Sequence, residues 1–176
     1  MLLVIATLVG LLAVPASAAY TLNDSGSVKI TQDGFGNYLS KKSGGTIGGG
    51  YWQYTSNDGL TGAAYCVNWG LTGVSPSKSL TVQPYNRSPQ TMGAFANGYP
   101  ARTLEQFKQL HQDDVRGIAN LTETEYKYAT QVAVWATCGQ ISVPGTTFTA
   151  GRTAVVEPTA DAQQIRIFDS VKGILR

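Results

Sequence analysis

Thr122-Glu123-Thr124-Glu125-Tyr126-Lys127-Tyr128-Ala129-Thr130-Gln131-Val132-Ala133-Val134-Trp135-Ala136-Thr137-Cys138-Gly139 reads as one helix with both ends marked. Thr122-x-x-Glu125 is a capping box, and Leu121 and Tyr126 stand at the two staple positions that set the entry angle of the chain. Gly139 is a natural residue just past the C-terminus, with Pro144 beyond it. Ala129 to Ala136 is apolar nearly all round, the signature of a central buried helix rather than a surface one. The helix is therefore expected from Glu123 to Cys138.

Upstream the punctuation changes. Thr103-x-x-Gln106 is a second capping box, opening a helix with Leu104, Phe107 and Leu110 on one face. Between Tyr20 and about Leu60 the pattern is short and broken: Ser27-Val28-Lys29-Ile30-Thr31 alternates with the period of a half-buried strand, and Asp33-Gly34, Ser43-Gly44-Gly45, Gly48-Gly49-Gly50 and Asp58-Gly59 mark turns. Tyr51-Trp52-Gln53-Tyr54 suits a strand with an exposed aromatic face, Ala63 to Val67 a buried strand, and Ser79 to Val82 another strand. A last segment with Ile165, Phe168 and Leu175 at helical spacing is expected to dock on the core. Strands first and helices later make the class α+β.

The 176 residues include 13 Lys+Arg and 11 Asp+Glu, a net charge of +2 too weak and scattered for the basic stripe that nucleic acid needs. Twenty Gly, nine Tyr and three Trp favour strands, tight turns and aromatic surfaces. Met1 to Val14 is an uncharged, almost wholly apolar run, without an early Lys or Arg, and Ala16-Ser17-Ala18 follows as a small-x-small cleavage pattern. Residues 1–18 are read as a secretory signal peptide and 19–176 as a single domain, with no membrane span in the mature chain. No sortase-type anchor closes the sequence, so a freely secreted domain and the N-terminal piece of something longer both stay open.

The chemistry centres on Cys66 and Gln131. A thiol can attack a glutamine side-chain amide, expel ammonia and leave an internal thioester. On the helix Gln131 has Tyr128 one turn before it, Trp135 one turn after it and Cys138 two turns away. Rings at such positions exclude bulk water, the competing nucleophile. The rival reading is a Cys66–Cys138 disulfide, since two cysteines in an exported protein usually pair; it would make the chain a non-covalent protein- or carbohydrate-binding module, with Tyr51, Trp52, Tyr54 and Tyr85 as candidate contact residues. His111, the only histidine, is read as a solvated helix residue, and Asp113-Asp114 as a solvated helix end. No cluster has metal-site spacing, and no cofactor is implied.

Tyr65-Cys66-Val67 together with Thr130-Gln131-Val132-Ala133-Val134-Trp135 resembles the paired motifs of the thioester domains of Gram-positive bacterial surface adhesins and pilus-tip proteins: an aromatic-Cys-hydrophobic triplet, then Thr-Gln-x-Ala-Ile/Val-Trp on a helix. The resemblance implies a Gly- and aromatic-rich β-sandwich or barrel-like part with an inserted helical subdomain carrying the glutamine. It implies a Cys66–Gln131 cross-link that captures a lysine amine of a host cell-surface or extracellular-matrix protein once, as a covalent adhesin and not an enzyme. Tyr65, Tyr128 and Trp135 would shield or orient the bond, and Tyr65, Tyr128 or Asn68 could orient the incoming amine.

Overall fold

The computed structural model describes residues 27–33, 36–56, 59, 61–67, 69, 78–81, 88–149 and 154–176. The signal peptide expected at 1–18, Tyr85 and Asn68 lie outside the described residues, as do the side chains of Tyr51 and of the strand read at Ser79 to Val82. The elements run β1 (Ser27–Asp33), β2 (Tyr38–Ser40), β3 (Thr46–Gly48), β4 (Tyr51–Ser56), β5 (Thr61–Ala64), β6 (Lys78–Thr81), α1 (Pro89–Asn97), α2 (Leu104–Leu110), a 3-10 turn (Ile118–Asn120), α3 (Glu123–Thr137), β7 (Ile141–Ser142), β8 (Ala154–Val155) and α4 (Ala162–Ile174). The α+β class holds. β5, β4, β1 and β6 form one antiparallel sheet in that order, β2 and β3 a separate hairpin, and β7 and β8 a short parallel pair. Among the described residues no pairing closes a barrel.

α3 is the axis of the core, packing against α4, α1 and β4. Both of its ends are built as the residues dictate. Thr122 accepts from the Glu125 amide at 3.3 Å and the Glu125 carboxylate accepts from the Thr122 amide at 2.9 Å, closing the capping box. At the other end Gly139, at φ +82°, lets its own amide reach Ala136 O at 3.1 Å and the Gln140 amide reach Trp135 O at 2.9 Å. Those two bonds make a Schellman close, which a left-handed glycine permits. From Ala129 to Ala136 every residue is buried. Leu121 and Tyr126 are buried as the staple requires. Glu125 also accepts from Arg166 at 2.8 Å, tying the start of α3 to α4.

Three expectations need correction. The strand ends at Ala64, so Tyr65-Cys66-Val67 lies beyond β5 and is half-buried. The reason is that the Cys66 main chain bonds to Gln131 instead of to a neighbouring strand. His111 is not solvated: it caps the C-terminus of α2, 7% exposed, with its ring 4.5 Å from that of Phe107. Trp52 faces inward, 9% exposed, while Tyr54 is half-buried, so β4 presents no open aromatic face at these two positions. On α2 only Phe107 is fully buried, and Leu110 is exposed.

α1 is an element the patterning reading passed over. Ser88 caps it, accepting from the Thr91 amide at 3.1 Å, and Pro89 sits in its first turn. Serine before proline is a start signal for a helix, but the segment is short and rich in Gly and Ala, with no long apolar stripe to announce it.

Candidate functional site

Two hydrogen bonds join the Cys66 main chain to the Gln131 side chain. The Cys66 amide donates to Gln131 Oε1 at 2.9 Å, and Gln131 Nε2 donates to the Cys66 carbonyl at 2.7 Å. Gln131 is fully buried, so both polar ends of its amide are satisfied by a single residue. Burial without those partners would cost about 1–3 kcal/mol per unpaired group. The pairing fixes the amide plane, and it sets the carbon between Oε1 and Nε2 beside the residue that bears the thiol.

A second link between the same two chain segments runs through Tyr99. The Tyr65 hydroxyl donates to the Tyr99 carbonyl, and the Tyr99 amide donates to Thr130 Oγ1 at 3.0 Å. Thr130 Oγ1 in turn donates to Tyr126 O at 3.0 Å within the helix. Tyr65-Cys66 and Thr130-Gln131 are therefore joined twice, once directly and once through the turn after α1. The Tyr65 ring rests on Phe95 of α1, centroids 5.6 Å apart. Gly98 makes the turn possible: a Cβ there would lie 2.4 Å from Thr130 Cγ2, well inside contact distance. Nothing in the residue pattern pointed to Tyr99, because it acts through its backbone amide and carbonyl, which any residue but proline supplies.

Tyr128 and Trp135 flank Gln131 one turn to each side and both rest on the hairpin. The Tyr128 hydroxyl donates to Ile47 O of β3, and burial pushes that phenol's pKa well above its ordinary value of 10.0. Trp135 lies against Gly49, where a Cβ would stand 2.5 Å from the indole Cη2. Its Nε1 is buried with no hydrogen-bond partner among the described residues. Together these rings cover the Gln131 face of the helix with apolar surface.

Cys66 and Cys138 are not bridged. Cys138 caps α3 and its sulfur lies 3.7 Å from Thr91 Oγ1, on the α1 side of the helix, while Cys66 is anchored to Gln131. Among the described residues no group of three or more His, Cys, Asp or Glu could hold a metal ion.

The family model for the thioester domain matches residues 63–166, more than half of the chain, and spans both halves of this constellation. The chain belongs to the thioester domain family. No curated protein and no solved structure matches it. Thioester domains are adhesin-type modules of surface or secreted proteins that bind protein ligands. Among the described residues of this thioester domain no helix is long and apolar enough to cross a membrane.

Proposed function

We propose that Cys66 and Gln131 form an internal thioester, and that the domain uses it to acylate a lysine amine on a host cell-surface or extracellular-matrix protein. The observation that carries the reading is the paired hydrogen bonding of the Gln131 amide to the Cys66 main chain in a buried site. Attack of Cys66 Sγ on Gln131 Cδ places developing negative charge on Oε1, the atom that already accepts from the Cys66 amide at 2.9 Å. A preorganised donor of this kind is worth roughly 10²–10³ in rate. The thiol proton leaves with Nε2 as ammonia, and Cδ–Sγ replaces Cδ–Nε2. Fixed placement alone contributes roughly 7–11 kcal/mol toward such a step.

Capture reverses the exchange. A neutral lysine amine attacks Cδ, the C–S bond breaks, Cys66 leaves as a thiol, and an amide joins Gln131 to the target. Each domain reacts once, so this is covalent binding and not turnover. A lysine of ordinary pKa 10.4 is only about 0.1% neutral at physiological pH. Capture is therefore slow unless the docked partner or the rim of the site accepts the proton. The gain is an attachment without the off-rate that limits reversible adhesion. Residues 1–18 act as the export signal in this reading, and the mature domain runs from Ala19.

The test is the intact mass of the purified mature domain, without reductant, before and after methylamine. A mass short by one ammonia, regained with methylamine at Gln131, supports the thioester. A full-length mass indifferent to methylamine overturns it, and so does a mass short by two hydrogens, the mark of a disulfide.

A further inference from the structure

An acyl group on Gln131 has an amine of its own chain for a neighbour. Lys127 precedes Gln131 by four residues within α3, the spacing that brings side chains together on one helical face, with Cβ atoms about 5–6 Å apart. The lysine stem is long enough to bridge that gap. Well-oriented intramolecular partners behave as if present at roughly 10⁵–10⁸ M, far beyond any external lysine. A reactive Gln131 carbonyl on this helix therefore faces capture by Lys127 before any partner arrives.

The structure holds Lys127 in a different direction. Its Nζ is 2.8 Å from a Glu123 carboxylate oxygen, one turn back toward the helix start, and 4.9 Å from the centroid of the Tyr99 ring. The lysine side chain is 12% exposed and the Glu123 side chain 55%, so the cation is largely covered while its carboxylate partner stays open to water. A carboxylate at that distance favours the ammonium, which has no lone pair to attack with, and the ring face attracts the same cation. Tyr99 cannot drift, because its amide and carbonyl are tied to Thr130 and Tyr65.

Resting on the thioester reading above, we infer that Glu123 and Tyr99 form a clamp that keeps Lys127 from quenching the thioester internally. The reaction they prevent balances: the Lys127 nitrogen attacks Gln131 Cδ, the C–S bond breaks, the displaced Cys66 sulfur takes the amine proton, and a Lys127–Gln131 amide closes within the helix. Its product has the same mass as the thioester form but carries one more thiol and ignores methylamine.

The experiment follows methylamine uptake, thiol count and tandem mass spectra over time in the wild type, Glu123→Gln, and Glu123→Gln with Lys127→Arg. The expected result is a methylamine-reactive fraction that decays a few-fold to about tenfold faster in Glu123→Gln, tenfold being the effect of one pKa unit on the neutral amine. A Lys127–Gln131 cross-linked peptide accumulates in parallel, and the added Lys127→Arg change restores the wild-type lifetime. Decay at the wild-type rate with no cross-link overturns the clamp, as does a cross-link already abundant in the wild type. A wild type that never loses ammonia overturns the thioester reading itself, and the intact-mass control separates that failure from a failure of the clamp.

Discussion

Gln131 and Cys66, 65 residues apart in sequence, exchange two hydrogen bonds of 2.7 and 2.9 Å in which every atom contributed by Cys66 is backbone. The pairing therefore does not need the sulfur, and fold and chemistry separate at this residue.

A Cys66→Ala variant should keep the pairing and lose the reaction. Its intact mass should be full and methylamine should add nothing. Its stability should match that of wild-type protein already opened by methylamine to within about 1 kcal/mol, the scale of a small half-buried side chain. The unopened wild type should lie above both, because a cross-link closing a loop of 65 residues removes roughly 4 kcal/mol of unfolded-state entropy. Denaturant melts of the three forms check all three statements.

The second link predicts an effect away from the reacting atoms. Thr130→Val keeps shape but takes the Thr130 acceptor from the half-buried Tyr99 amide, a loss of about 1 kcal/mol. Tyr65→Phe removes the bond to the Tyr99 carbonyl and should cost about 0.5–1.5 kcal/mol. Both variants should still fold, and both should lose ammonia more slowly after refolding, because the Cys66 segment loses its tether through Tyr99. Time-resolved intact mass reads the rate, and equal rates in all variants would remove Tyr99 from the account.

These relations show what the residue pattern could and could not reveal. α3 was legible to within a residue because its capping box, its apolar run and its closing glycine agree. Cys66 and Gln131 could be singled out because their motifs carry the family resemblance, and the structure pairs the two residues. The end of β5 was not, since hydrogen bonds from Gln131 to a backbone leave no mark on the residues that supply the backbone. Tyr99 was hidden for the same reason. His111 was misjudged because a histidine among charged residues looks solvated, whereas the fold turns it onto Phe107 and against Gly173 of α4.

His111 gives stability a pH dependence near neutrality. Burial lowers its pKa below the ordinary 6.5, outweighing the nearby Asp114 carboxylate, while Arg176 and Arg102 push the same way as burial. The unfolded chain then binds a proton that the folded chain refuses, so stability rises with pH across the interval. It is fully present above about 6.5 and falls as the pH drops through that value toward the folded pKa. His111→Gln should flatten the slope between about pH 5 and 7, where His titrates, in melts compared at matched ionic strength.

Trp135 makes the most local demand on the hairpin. Gly49 leaves no room for a side chain: a methyl carbon there would stand 2.5 Å from the indole Cη2 and 3.3 Å from Cζ3. The indole is a rigid ring in a buried seat, 4% exposed, so it cannot swing aside as a flexible chain would. Gly49→Ala must shift either the hairpin or the helix face that carries Gln131, a strain of about 1–3 kcal/mol. The cover over Gln131 opens in either case. We expect a lower melting temperature together with faster spontaneous hydrolysis of the thioester, read as recovery of the Cys66 thiol in buffer without amine. Gly48 has open space where a Cβ would go, so Gly48→Ala in the same hairpin serves as the control and should leave the hydrolysis rate unchanged. Equal hydrolysis in both variants would mean that Trp135 packs the core without shielding the bond.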